Sequence, residues 1–144
     1  METQVMLVDD EAPFVDALAQ RLSMRGFTVA KAYSGDTCLQ VLSDRHEEVD
    51  VVVLDLLMPG ISGIEVLKEI RKKNPLIQII LLSGQATVES AIEGMKQGAY
   101  DFLLKPADTE VLSAKIEAAA AIKKAHEERI RKAEMDTIIT ERGW

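Results

Sequence analysis

Val51-Val52-Val53-Leu54-Asp55 is a run of four bulky apolar residues closed by a carboxylate. Unbroken apolar character, with no polar alternation, is what a strand buried on both faces requires. Met58-Pro59-Gly60 then breaks the chain, as turn chemistry does after a strand. Val51–Leu54 therefore reads as the centre of a parallel sheet, and the rest of the chain organises around it.

On either side, short apolar runs alternate with segments of helical period. Val5–Val8, the weaker Phe27–Ala32, Ile77–Leu82 and the short Phe102–Leu104 read as further strands. A first helix spans Pro13–Arg25, with Phe14, Ala17, Leu18 and Leu22 on its inner face and Gly26 ending it. A second spans Asp36–Arg45, with Leu39 and Leu42 turned inward. Ser62 and Glu65 stand at capping-box spacing and open a third through Ile64, Leu67 and Ile70, which Asn74-Pro75 stops. Val88, Ala91, Ile92 and Met95 mark a fourth, closed by Gly98, and a fifth begins near Asp108. Five βα units with short connections predict an α/β fold, a doubly wound parallel sheet of five strands.

The composition agrees with one domain: 144 residues, 47% hydrophobic and 28% charged, with 8 Gly and 4 Pro. No apolar run approaches the roughly 18 residues of a membrane span, and with the chain passing straight into the first strand no secretory signal is expected. Cys38 stands alone, which excludes an internal disulfide or a cysteine zinc site. A cytoplasmic protein is expected. The net charge of −7 disfavours direct contact with nucleic acid or an anionic membrane. Most of that charge lies in residues 1–106, with 16 acidic and 10 basic side chains.

In a doubly wound sheet, ligands bind beyond the carboxyl ends of the strands. Asp9, Asp10 and Glu11 follow the first strand, Asp55 the third, Ser83 the fourth, and Lys105-Pro106 the fifth. Clustered carboxylates ionise together only when a cation neutralises them, and hard oxygen donors suit Mg2+. A lysine aimed at the same rim makes sense if the site also receives a dianionic group such as phosphoryl. Ser83 would offer a hydroxyl to it, and Asp55, on the most central strand, is the best candidate nucleophile.

Over residues 3 to about 120 the chain resembles the receiver domain of two-component response regulators. The motifs are Leu7-Val8-Asp9-Asp10-Glu11, Leu54-Asp55-Leu56-Leu57-Met58-Pro59-Gly60, Leu82-Ser83-Gly84 and Leu104-Lys105-Pro106. Gly94-Met95-Lys96-Gln97-Gly98-Ala99-Tyr100-Asp101-Phe102 is similar to receivers of the nitrogen-regulatory type. The resemblance implies a flavodoxin-like strand order 2-1-3-4-5. It also implies that Asp55 accepts a phosphoryl group from a phosphohistidine of a sensor kinase or phosphotransfer protein. Asp10 and Asp55 would ligate Mg2+, Asp9 would act mostly through water, and the Leu57 carbonyl would be a further ligand. Lys105 would pair with the phosphoryl group across a cis Lys105–Pro106 bond. Ser83 would move toward the phosphoryl oxygens and Phe102 would rotate inward, so that the surface of the fourth helix, fifth strand and fifth helix signals to an output domain or protein.

Several positions have plainer readings beside these. Leu57, two residues after the acceptor, cannot orient an attacking water, whereas Gln85 could, so the phosphoryl lifetime stays open. Glu11 fits equally a place beside the metal and a cap on the first helix. Cys38 reads as an apolar filler, His46 as a solvated turn residue, and His126 as part of a solvated helical face.

From Asp108 to about Met135 there is no Gly or Pro. Leu112, Ile116 and Ala119 begin a heptad-like seam that Lys123 and His126 interrupt before Ile130 and Ala133 resume it. Residues 1–120 are thus expected to form the receiver, and 121–144 a helical extension or linker able to make homodimer contacts. An aspartyl-nucleophile phosphatase would want a second acid where Leu57 stands, and a dinucleotide binder would want a glycine-rich turn after the first strand. A receiver that signals without phosphorylation is the remaining alternative.

Overall fold

The computed structural model describes residues 2–84 and 87–141. Strands β1 (Gln4–Val8), β2 (Thr28–Ala32), β3 (Val51–Leu54), β4 (Gln78–Ser83) and β5 (Asp101–Leu104) alternate with helices α1 (Ala12–Met24), α2 (Gly35–Arg45), α3 (Gly63–Lys73), α4 (Val88–Lys96) and α5 (Thr109–Glu141). All strand pairs are parallel, in the order β2-β1-β3-β4-β5. The expected doubly wound sheet and its order are both observed.

Alternation along each strand divides the core in two. Met6, Val8, Val52, Leu54, Ile79 and Leu81 face α2 and α3, while Val5, Leu7, Val51, Val53, Ile80 and Leu82 face α1 and α5. β3 and β4 are buried at every position, and the edge strand β2 buries only Ala32. That contrast explains why β2 reads weakly in the sequence.

The helices correct the sequence reading in detail. α1 buries Val15 and Ala19 beside Leu18 and Leu22, with Phe14 and Ala17 only half-buried. In α2 it is Cys38, with Leu42, that reaches the core, and Leu39 is half-buried. Ser62 caps α3 by accepting the Glu65 N–H at 3.3 Å. The reciprocal capping box forms instead at α4, between Thr87 and Ser90.

α4 forms as expected, and its orientation is what its period alone does not show. Its apolar residues Val88, Ile92 and Met95 are 76%, 50% and 43% exposed, and Gly94 is its one buried residue. A side chain at 94 would collide with Leu81 Cδ1. The missing Cβ lets the helix rest its backbone on the sheet, and the apolar row is turned outward.

α5 runs unbroken for 33 residues. Leu112, Ile116, Ala119 and Ala120 pack on the sheet. Lys123, which interrupts the seam in sequence, is buried, donating to Asp50 Oδ1 at 3.1 Å with Glu127 at 3.8 Å. Past Glu127 every described side chain is exposed. Among the described residues no helix is long and apolar enough to cross a membrane.

Candidate functional site

The carboxyl ends of β1, β3, β4 and β5 meet on one rim, and backbone bonds carry the ladder just past them. Asp55 N–H donates to Val8 at 3.0 Å, Asp9 N–H to Ala32 at 3.2 Å, and Lys105 N–H to Ser83 at 3.0 Å. These bonds fix where the side chains of Asp9, Asp55 and Lys105 leave the sheet. Gly63, at the start of α3, packs against the Asp55 carbonyl so closely that no side chain fits there. The loop that carries Asp55 is thereby held between β3 and α3.

Asp9, Asp55 and Ser83 are 4%, 5% and 1% exposed, so two carboxylates face each other with little water. Each is steadied by a nearby amide: Glu11 N–H donates to Asp9 Oδ1 at 2.9 Å, and Leu57 N–H to Asp55 Oδ1 at 3.2 Å. Lys105 Nζ lies 2.6 Å from Asp9 Oδ2, 3.3 Å from Glu11 Oε1 and 3.7 Å from Asp55 Oδ2. It also stands 4.3 Å from the centroid of the Phe14 ring, a favourable cation–π placement. The Lys105–Pro106 bond is cis, as expected.

Burial is the main influence on Asp55 and pushes its carboxyl above the usual aspartate range. The Ser83 hydroxyl, the Leu57 amide and Lys105 pull the other way, and the Asp9 charge adds to the rise. Burial works against the Lys105 ammonium, but Asp9, Asp55 and Glu11 outweigh it and hold the lysine above its ordinary value.

One oxygen from each of Asp9, Glu11 and Asp55 lies within 4.8 Å of the others. Three hard oxygen donors at that spacing suit a divalent cation that keeps part of its water shell. Asp10 is exposed and lies outside this trio, yet it lines the same concavity of about 300 Å³ with Glu11, Asp55, Leu57, Ser83, Gly84 and Lys105. Leu57 is 53% exposed at its mouth. Phe102 is half-buried and packs on the α2–α3 side of the core. Gln85 lies outside the described residues.

Of two further members of the site, Glu11 has two equal readings in the sequence and Phe14 has no site role there. Glu11 caps α1 by position only, since its side chain makes no capping bond, and its carboxylate goes to Lys105 instead. Phe14 reads as a core residue because periodicity cannot tell an aromatic under a cation from one under a leucine.

The family model described as response regulator receiver domain matches residues 5–117. A response regulator receiver domain protein from Clostridium thermocellum is 32% identical, with a TM-score of 0.82 over 85% of this chain and 98% of that one. The receiver domain of NtrX from Brucella abortus is 32% identical, with a TM-score of 0.75 over 81% of this chain and 98% of that one. A longer NtrX structure from the same organism, in complex with ADP, is matched over 89% of this chain but 29% of its own length, at 32% identity and a TM-score of 0.81.

Proposed function

This chain belongs to the response regulator receiver domain family, and from that premise we propose that Asp55 accepts a phosphoryl group from a phosphohistidine of a sensor kinase or phosphotransfer protein. An Asp55 carboxylate oxygen attacks phosphorus, the P–N bond breaks, and the imidazole keeps the electron pair and takes up a proton. The observation that carries this reading is the meeting of Asp55, Lys105 and Ser83 at one strand-end concavity beside Asp9.

The side chains divide the work. Asp55 supplies the nucleophilic oxygen, and its Leu57 N–H bond orients it. Lys105 supplies positive charge for the phosphoryl oxygens, and Ser83 a hydroxyl. Asp9, Asp10, Asp55 and the Leu57 carbonyl are the proposed holders of Mg2+, whose role when bound is to offset the charge of carboxylates and phosphoryl group. Glu11 is a further donor within reach.

The response of the fold follows from the added charge. Phosphorylation brings about −1.5 to −2 charges and three strong acceptors to Asp55. New bonds to Ser83 and Lys105 then favour a second packing of α4, β5 and α5, with Phe102 turning inward. α4 suits this role because Gly94 is its single buried residue. The altered surface, with Val88, Ile92, Met95, Leu104 and Val111 exposed on it, would engage an output domain or protein in the cytoplasm. Residues 1–120 would be the receiver and 121–144 the extension that carries the signal or pairs with a second copy.

The test is intact-mass spectrometry after incubation with acetyl phosphate, with and without Mg2+, beside Asp55→Asn. One phosphoryl group that requires Mg2+ and Asp55 is expected. No adduct on the unmodified chain, with decay excluded by rapid quench, would overturn the proposal.

A further inference from the structure

We propose, resting on the phosphoryl-acceptor reading above, that Glu11 is a displaceable counter-charge on Lys105, released when a phosphoryl group arrives and retarding that arrival while it is bound. Three carboxylates share the Lys105 ammonium, and they are held very unequally. Asp9 is the closest, at 2.6 Å, with a buried side chain tied to the Glu11 amide. Asp55 is tied to the Leu57 amide and is itself the acceptor. The Glu11 side chain is 65% exposed, and among the described residues Lys105 is its carboxylate's only hydrogen-bond partner.

An ammonium has three protons to give. Asp9 and Glu11 lie close enough to take two of them, and Asp55, at 3.7 Å, does not take the third. A phosphoryl group that draws a second proton beside the free one therefore does so at the expense of a present partner. Moving Asp9 would desolvate or expose a buried charge, whereas an exposed pair such as Lys105–Glu11 is cheap to break. Glu11 can leave by side-chain rotation alone, with its backbone N–H still on Asp9. Helix α1 does not depend on it, because its side chain makes no capping bond.

The same charge acts before contact. A carboxylate at the mouth of the concavity repels an anionic phosphodonor and reduces the field of Lys105 at the point of entry. Glu11 is therefore a positioning residue that sets how available Lys105 is, and not a group that reacts.

The experiment compares the full chain with Glu11→Gln in two ways. Inorganic phosphate is titrated without metal, followed by the amide resonances of Gly84 and Lys105. The variant is expected to bind about three- to tenfold tighter, with the gain shrinking as KCl is added. Initial phosphorylation by acetyl phosphate at saturating Mg2+ should quicken by a similar factor. A variant that binds phosphate no tighter, or is phosphorylated no faster than an active parent, overturns the role of Glu11. If neither protein is phosphorylated, the acceptor reading fails instead, and the phosphate titration still decides what Glu11 does.

Discussion

Lys123 Nζ lies 3.1 Å from Asp50 Oδ1, and the other oxygen of the same carboxylate accepts the Gln4 N–H at 2.8 Å. The Asp50 backbone also joins its neighbours: its N–H donates to Gln4, and its carbonyl accepts from Gln78. One residue thus ties β1, β4 and α5 together at the amino edge of the sheet, opposite the acidic concavity. Lys123→Met would leave a buried carboxylate without its counter-charge, and a loss of about 3 kcal/mol is expected. The pair Asp50→Asn with Lys123→Met should recover most of it. Urea unfolding of Lys123→Met, Asp50→Asn and the double variant measures both effects, and a double-variant loss equal to the sum of the two single losses would argue against coupling.

Asp55 gives a pH signature. Its carboxyl lies above the ordinary range because burial disfavours the charge. The folded state therefore prefers the protonated form, and stability present below the unfolded aspartate pKa is lost as pH rises through the folded one. Asp55→Asn should raise the melting temperature by a few degrees at pH 7 in metal-free buffer, with the gain fading in the acid range. Melts followed by circular dichroism check the sign, and a gain that grows on acidification would contradict it.

Ser83→Ala separates acceptance from response. The variant should still take a phosphoryl group on Asp55, because the nucleophile and Lys105 are intact. It should fail to shift the amide resonances of α4 and β5 that move in the parent. A full set of shifts in the variant would remove Ser83 from the switch.

Gly94→Ala tests why α4 lies as it does. Alanine improves helix propensity by about 1 kcal/mol, but the added methyl meets Leu81, and overpacking costs about 1–3 kcal/mol. A net loss of about 1 kcal/mol is expected, smaller when Leu81 is shortened to Val. Denaturant midpoints for the single and double variants decide it.

Cys38 should be inert. It is fully buried, and desolvation pushes its thiol up to about 12. Thiol-directed reagents at pH 8 should label it only as fast as the chain opens, which a labelling series in mild denaturant would reveal.

How far the sequence carried the reading follows from burial. β3 and β4 are legible because both faces are covered, so their apolar runs have no competing pattern. Asp9, Asp55, Ser83 and Lys105 are legible because each directly ends or follows a strand. α4 is legible as a helix, but its apolar row has helical period whether it faces the sheet or solvent, and it is the close contact at Gly94 that tells which. Lys123 breaks a seam in sequence and completes it in space, since its partner Asp50 lies 73 residues away. Glu11 stays ambiguous because one position serves both a cap and a ligand.

The length of α5 turns small rotations into large displacements. From Lys123 to Glu141 the helix rises about 27 Å at 1.5 Å per residue. A tilt of about 10° about the Asp50 anchor would carry the far end about 5 Å, roughly the pitch of one helical turn. Repacking too slight to alter the core could therefore move whatever follows by a distance that changes which side chains meet.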